Sequence, residues 1–152
     1  MNDIVDFDIP SDRVVVSTKD LLKALNSVKK IQTKYNKHMP VLNHILLEFK
    51  DGTLTITATN LVDIKIETVP YFHTGFEFST CVPGYTIAQK DGWGSKSIKV
   101  RPFIDMIKII SEYETWVMFG FDEKRQVIEI YNDNSRSLMK CIDAQEFPSV
   151  RL

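Results

Sequence analysis

Few side chains in this 152-residue sequence could do chemistry, and their spacing points to charge more than to reaction. Lysines recur at Lys19, Lys23, Lys30, Lys34 and Lys37 within STKDLLKALNSVKKIQTKYNKH. On an α-helix those positions, together with Asn26, project within an arc of about 80°. Ala24, Leu25, Val28, Ile31 and Tyr35 lie on the opposite side. The spacing therefore predicts an amphipathic helix from Lys19 to Lys37, with one face for a core and the other for something negative. With Lys29 the stretch holds six lysines against Asp20 alone, a charge of +5, so the remainder of a chain of net charge −1 carries −6. Such asymmetry is a statement about partners rather than about fold.

The other reactive residue types lack company. His38, His44 and His73 have no metal-ligand spacing and no cysteine pair beside them, so no metal is expected. A serine or cysteine nucleophile needs an oriented base, and nothing places one near Cys141 or Ser137. Gly92-Trp93-Gly94 is followed by neither the lysine nor the helix of a phosphate-cradling loop. Cys81 and Cys141 sit in apolar or β-branched surroundings without CxxC spacing, which predicts reduced, buried thiols. The expectation is a protein without catalytic residues or cofactor. The acidic start, MNDIVDFDIPSDR, has no signal-peptide character and no apolar run could span a bilayer, so a cytoplasmic protein with no membrane partner is expected.

The elements that must position the lysines can be read in order. Composition is that of a globular chain, 43% hydrophobic and 26% charged, and the length suits a single domain. After a polar leader, 1–13, Val14 to Val16 reads as a strand, and Ser17 or Thr18 offers an N-cap with Asp20 in the first helical turn. The lysine helix must end before Pro40. Ile45 to Phe49, Leu54 to Thr57 and Val62 to Glu67 alternate as half-buried antiparallel strands, with a turn at Lys50-Asp51-Gly52. Tyr71 to Ser97 is less regular and reads as an insertion with room for one hairpin.

The pattern then starts again. Ile98 to Val100 reads as a strand, Pro102 suits a first helical turn, and Phe103, Met106, Ile107 and Ile110 make an apolar stripe ending near Glu112. Three strands follow: Trp116 to Phe121, Gln126 to Tyr131 and Arg136 to Ile142. Leu54, Ile56 and Ile64 correspond to Ile128, Ile130 and Leu138 at one constant offset. Strand, helix and three strands, twice over, is an internal duplication, with repeat one at 14–70, the insertion at 71–97 and repeat two at 98–144. Residues 14–150 are thus expected to form a single α+β domain, an antiparallel sheet with two helices on one face.

Three stretches carry a resemblance to a known family. LEFKDGTLTITATNLVDIKIE resembles the segment of the bacterial sliding clamp, the beta subunit of DNA polymerase III, that reads "L…DGTL…TGTDLE". MPVLNHILLEF is similar to its "LPIL…LL", and MKCIDAQEFPSV to the "LSTLPAADFPNL" that ends the clamp's first domain. The resemblance implies a DNA-clamp domain in a ring closing on double-stranded DNA without reading its sequence, helices lining the channel. It implies a non-catalytic processivity factor whose partners are a DNA polymerase, a clamp loader and other clamp domains or subunits. Lys19, Lys23, Lys30, Lys34, Asn36 and Lys37 would face DNA, Asn36 standing where the family carries an arginine. Arg136, Ser137, Leu138, Met139 and Lys140 would form the seam with a neighbouring subunit. The alternative use of such a domain is to bind a clamp or replication partner without enclosing DNA.

Overall fold

The structure, a computed structural model, describes residues 10–32, 35–85, 87–90, 97–100, 102–133 and 135–148. The first unit runs β1 (Val14–Ser17), α1 (Thr18–Lys29), β2 (His44–Lys50), β3 (Thr53–Thr59) and β4 (Ile64–His73). The remainder is β5 (Phe78–Pro83), β6 (Ile87–Lys90), β7 (Ser97–Val100), α2 (Phe103–Ser111), β8 (Trp116–Asp122), β9 (Val127–Tyr131), β10 (Arg136–Lys140) and β11 (Ile142–Asp143). Nine strands form one antiparallel sheet in the order β10-β9-β8-β1-β4-β3-β2-β5-β11, and β6 and β7 pair apart from it. The α+β class, the antiparallel sheet and the two helices are as the sequence predicts.

Alternation sorts each strand onto two faces. Val14 and Val16 of β1, Leu47 and Phe49 of β2, Leu54 and Ile56 of β3, Phe119 of β8 and Ile128 and Ile130 of β9 all point into one core. From the helices, Leu21, Ala24, Leu25 and Val28 meet Phe103, Ile104, Ile107 and Ile110 in the same cluster. Burying each large apolar side chain stabilises by about 1.5–3 kcal/mol, so this shared layer holds both units together. On α2 the buried stripe includes Ile104, while Met106 is only partly covered.

The duplication is visible in the pairing. β1 lies between β8 and the end of β4, with Val16 opposite Val117 and Tyr71. β5 lies between β2 and β11, with Cys81 opposite Leu46 and Ile142. Because β10 and β11 are parted only by Cys141, β5 holds in the second unit the place that β1 holds in the first. This differs from the sequence expectation, which put that opening strand at Ile98 to Val100. That segment is in β7, paired with β6 outside the main sheet. Six antiparallel positions with β2 outweigh the stronger local β-propensity of Ile98-Lys99-Val100, because strand preference is set by pairing partners more than by the backbone alone. The insertion is therefore the β6–β7 hairpin between β5 and α2, at a point where β1 runs straight into α1.

The offset also changes within the repeat. Ile56 faces Leu47 and Glu67, and Ile130 faces Phe119 and Ser137. Leu54 and Ile56 thus match Ile128 and Ile130, but the fourth strands match as Val69 to Met139 and Thr68 to Leu138. The reason is that β3 runs on to Thr59 before its turn whereas β9 stops at Tyr131, which shortens the second hairpin. Ile64 and Leu138 are not equivalent.

Candidate nucleic-acid interface

The lysine helix is built from its start. Ser17 caps it by accepting from the Asp20 amide at 3.3 Å, and Asp20 lies where the helix dipole favours a carboxylate. The Thr18 amide and hydroxyl donate to the carbonyls of Thr115 and Glu114, at 3.0 and 2.7 Å. This fastens the start of α1 to the link between α2 and β8. Lys19, Lys23, Asn26 and Lys30 are all exposed, while the opposite side is sealed in the core. Lys19 and Lys30 are about 16 Å apart along the axis at 1.5 Å per residue.

The helix is shorter than its sequence pattern. It ends at Lys29, with Lys30 as C-cap, and the Gln32 amide closes a last turn on the Lys29 carbonyl at 2.9 Å. Gln32 is buried, and its Nε2 donates to the carbonyls of Leu42 and His44 at 3.1 and 3.0 Å. Tying Gln32 to the start of β2 turns the chain off the helical path, since continuing would withdraw that side chain from both carbonyls. Tyr35 accordingly leaves the core stripe and is 48% exposed, packed edge-on against Tyr85 with ring centroids 6.0 Å apart. Lys34 lies outside the described residues.

Asn36 holds the loop in shape. Its Oδ1 accepts from the amides of His38 and Met39 at 2.9 and 2.7 Å. Its own amide donates to Asn43 Oδ1 and its carbonyl accepts from Asn43 Nδ2. An asparagine used this way is an Asx turn, and it leaves Lys37 and His38 exposed beside it. Behind the loop, burial pushes the His44 imidazole below its ordinary pKa, partly offset by the Pro40 carbonyl 3.1 Å from Nδ1.

An open groove of about 960 Å³ runs between the helices, with Lys19, Lys23 and Lys30 on one bank and Ser111, Glu114 and Trp116 on the other. The ion pairs among the described residues lie elsewhere, at Arg13–Asp12, Lys65–Glu67, Arg125–Asp122 and Arg136–Glu129. Lys19, Lys23 and Lys30 thus have no ion-pair partner among the described residues. Lysine, a flexible point charge, suits phosphates met in varying register.

The predicted seam residues share β10. It pairs with β9 along Arg136 to Lys140 and lies at one end of the sheet order. Leu138 is 62% exposed and Met139 is buried. Arg136 donates to Glu129 Oε2 at 2.8 and 3.2 Å, and Lys140 Nζ donates to the Arg125 carbonyl at 2.5 Å. Hydrogen bonds from Tyr131 and then Arg136 hold the Glu129 carboxyl below its usual range. Sequence reasoning missed the cluster behind this: Arg13 stacks over Tyr131 at 4.6 Å and donates to its hydroxyl at 2.7 Å. Its guanidinium passes so close to Gly120 that a Cβ there would meet it at 3.1 Å. Arg13 and Tyr131 are 118 positions apart in the chain, beyond any local pattern.

Reactive groups are muted. Burial pushes the Cys81 thiol up to about 12 and Cys141 up to about 11, so neither is a thiolate near neutrality. Among the described residues no helix is long and apolar enough to cross a membrane.

Comparison with known proteins bears on the family and the fold. The family model of the DNA polymerase III beta subunit, N-terminal domain, matches residues 13–151. The beta sliding clamp of Haemophilus influenzae is 24% identical over 136 residues, 89% of this chain and 31% of that protein. Among solved structures, the DNA polymerase III beta subunit of Thermotoga maritima superposes with a TM-score of 0.68 at 22% identity, covering 91% of this chain and 32% of that one. The beta subunit of Streptococcus pyogenes DNA polymerase reaches 0.72 at 15% identity, covering 92% and 33%. The chain thus spans about a third of the length of the relatives it matches.

Proposed function

The chain belongs to the DNA polymerase III beta subunit family, matching its N-terminal domain, and from that premise we propose that it is one segment of a sliding clamp. In this reading the domain joins others in a ring around double-stranded DNA and serves as a cytoplasmic, non-catalytic processivity factor. Polymerase and clamp loader act on it through the full clamp. What carries the reading is the row of exposed lysines on α1, free of ion pairs among the described residues, on the helix layer of this fold. Phosphate contacts of that kind position without reading bases, as a sliding surface requires. Lys19, Lys23, Lys30 and Lys37 would make them. Lys34 joins them on sequence grounds, and Asn36 acts by shaping the loop that carries Lys37.

The test is the salt dependence of duplex binding. Five phosphate contacts, Lys34 included, predict a log–log slope of about −4.5, and Lys23→Ala with Lys30→Ala should bring it to about −2.7. An unchanged slope in the double variant would remove α1 from the interface. The second reading, a domain that pairs with a clamp or replication partner without enclosing DNA, rests on the open β10 edge with Leu138 exposed. Unpaired edges template strand addition. A protein that shows no salt-dependent retention on closed circular DNA, yet binds an intact clamp, would establish that second use and displace the first.

A further inference from the structure

The groove between the helices has two unlike banks, and a duplex makes use of only one of them. Lys19, Lys23 and Lys30 stand on the first, and Glu114 is the one acid among the described residues that line it. Three ammonium groups against one carboxylate make the groove a place for an anion. The second bank carries Trp116, a half-buried indole that lines the same space. An indole beside a row of cations adds nothing to the binding of a phosphate alone, but its face is a platform on which a base can stack.

The platform is fixed relative to the row. Trp116 pairs with Ser17 in the β1–β8 ladder, and Ser17 is the N-cap of α1. The Thr18 amide and hydroxyl tie the same helix start to the carbonyls of Thr115 and Glu114, the two residues before Trp116. Phe72 packs edge-on against the indole, with ring centroids 5.5 Å apart and planes at 72°. A side chain held by strand register and by a neighbouring ring loses little freedom when a ligand stacks on it. Lys23 follows Lys19 by about 6 Å along the helix axis, and Lys30 lies about 10 Å further on. At about 960 Å³ the groove has the volume of a ligand site.

We infer that this groove binds single-stranded DNA, with phosphates on Lys19, Lys23 and Lys30 and a base stacked on Trp116. The choice of DNA rests on the clamp reading, and the choice of a single strand rests on Trp116. Bases in a duplex are paired and stacked inside it, so a duplex reaches the lysines but offers nothing to the indole. An unpaired strand offers phosphate and base together. The lysine row then serves two forms of one polymer, a duplex passing over it and a strand lying in the groove.

The experiment uses the full chain carrying Trp93→Phe, in which Trp116 is the sole tryptophan. An oligothymidylate of about a dozen nucleotides, within the usual span of single-strand sites, should quench its emission, and a blunt duplex of the same length should not. Trp116→Leu should weaken oligothymidylate binding about 5- to 150-fold, as for one lost stacking contact, and Trp116→Tyr, which keeps an aromatic face, should recover most of it. Lys23→Ala with Lys30→Ala should bring the single-strand salt slope from about −2 to about −0.7. Oligothymidylate that does not bind, or binds without changing the emission, overturns the inference, as does equal quenching by the duplex. Equal affinity in the Trp116→Leu and Trp116→Tyr variants overturns it too, because the ring face would then contribute nothing. The duplex judges the clamp reading separately. If the α1 variant lowers the duplex slope while the single-strand tests fail, only this inference falls. If the single-strand tests succeed while the duplex slope is unmoved, the groove stands as a single-strand site and α1 leaves the duplex interface.

Discussion

The two units place the same elements in the same order, yet their outer surfaces differ. Beside α1 and β4, Asp20, Lys23 and Ser27 line a groove with Glu67 and Thr68. Around α2 and β10 the corresponding groove is lined by Met106, Ile109 and Tyr113 together with Glu114, Ser135 and Ser137, and Ile109 and Tyr113 are 48% and 78% exposed. The inward faces are alike and feed one core. Duplication has thus kept what folding requires and released what lies outside it: the groove beside α1 carries charged side chains, and the one beside α2 has two exposed apolar side chains among polar ones.

The largest expected effect tests whether the halves truly share that core. Phe49 of β2 and Phe119 of β8 are buried, one from each unit, with ring centroids 6.0 Å apart. Phe49→Ala and Phe119→Ala should each cost about 3–5 kcal/mol. Both variants should still melt in one cooperative transition by calorimetry. Two separable transitions would mean that the units fold independently and that the comparison joins two domains rather than two halves of one.

How much of this comparison was legible in the sequence depends on the range of the interaction that decides each element. Strands with strict alternation, such as Leu54 to Thr57 and Gln126 to Tyr131, and the N-terminal half of α1 are decided locally, and they stand where the pattern puts them. β5 is decided by pairing with β2 and β11, and its own sequence, FSTCVP, has no alternating apolar signal. The end of α1 is decided by Gln32 reaching across to Leu42 and His44, while the lysine period runs on as if the helix continued. Candidate contact residues on α1 were readable because surface charge follows helix periodicity. Tyr131 and Arg13 were not, because their meeting depends on β1 lying next to β8.

A smaller effect sharpens the contrast between edges. Leu138 and Thr68 occupy equivalent positions on the two fourth strands, and both are exposed. Leu138→Asp should change the denaturation midpoint by no more than about 0.5 kcal/mol, as for most exposed positions. It should nonetheless weaken association of this domain with a second clamp subunit, measured by sedimentation, more than Thr68→Asp does. Equal weakening by the two substitutions would show that the apolar character of the β10 edge does not select it as the seam.

The smallest effect separates the links that follow the two helices. After α2 the chain needs only residues 112–115 to reach β8, whereas after α1 it takes residues 30–43 to reach β2, seated on His44. His44 is buried and its imidazole is held below the ordinary value of 6.5 by desolvation, so the folded state favours the neutral ring. For a group shifted down, stability is complete above the unfolded pKa and is lost as pH falls from there through the folded pKa. The domain should therefore lose stability on acidification below about pH 6.5, the model-peptide value. The loss should appear first as faster amide exchange in residues 36–45, while residues 112–117 stay protected. In His44→Gln the melting temperature should vary less between pH 7.5 and about 5 than in the parent protein. A pH dependence identical in the two proteins would mean that protonation acts elsewhere, and that the long basic loop after α1 is no more sensitive to acid than the short link after α2.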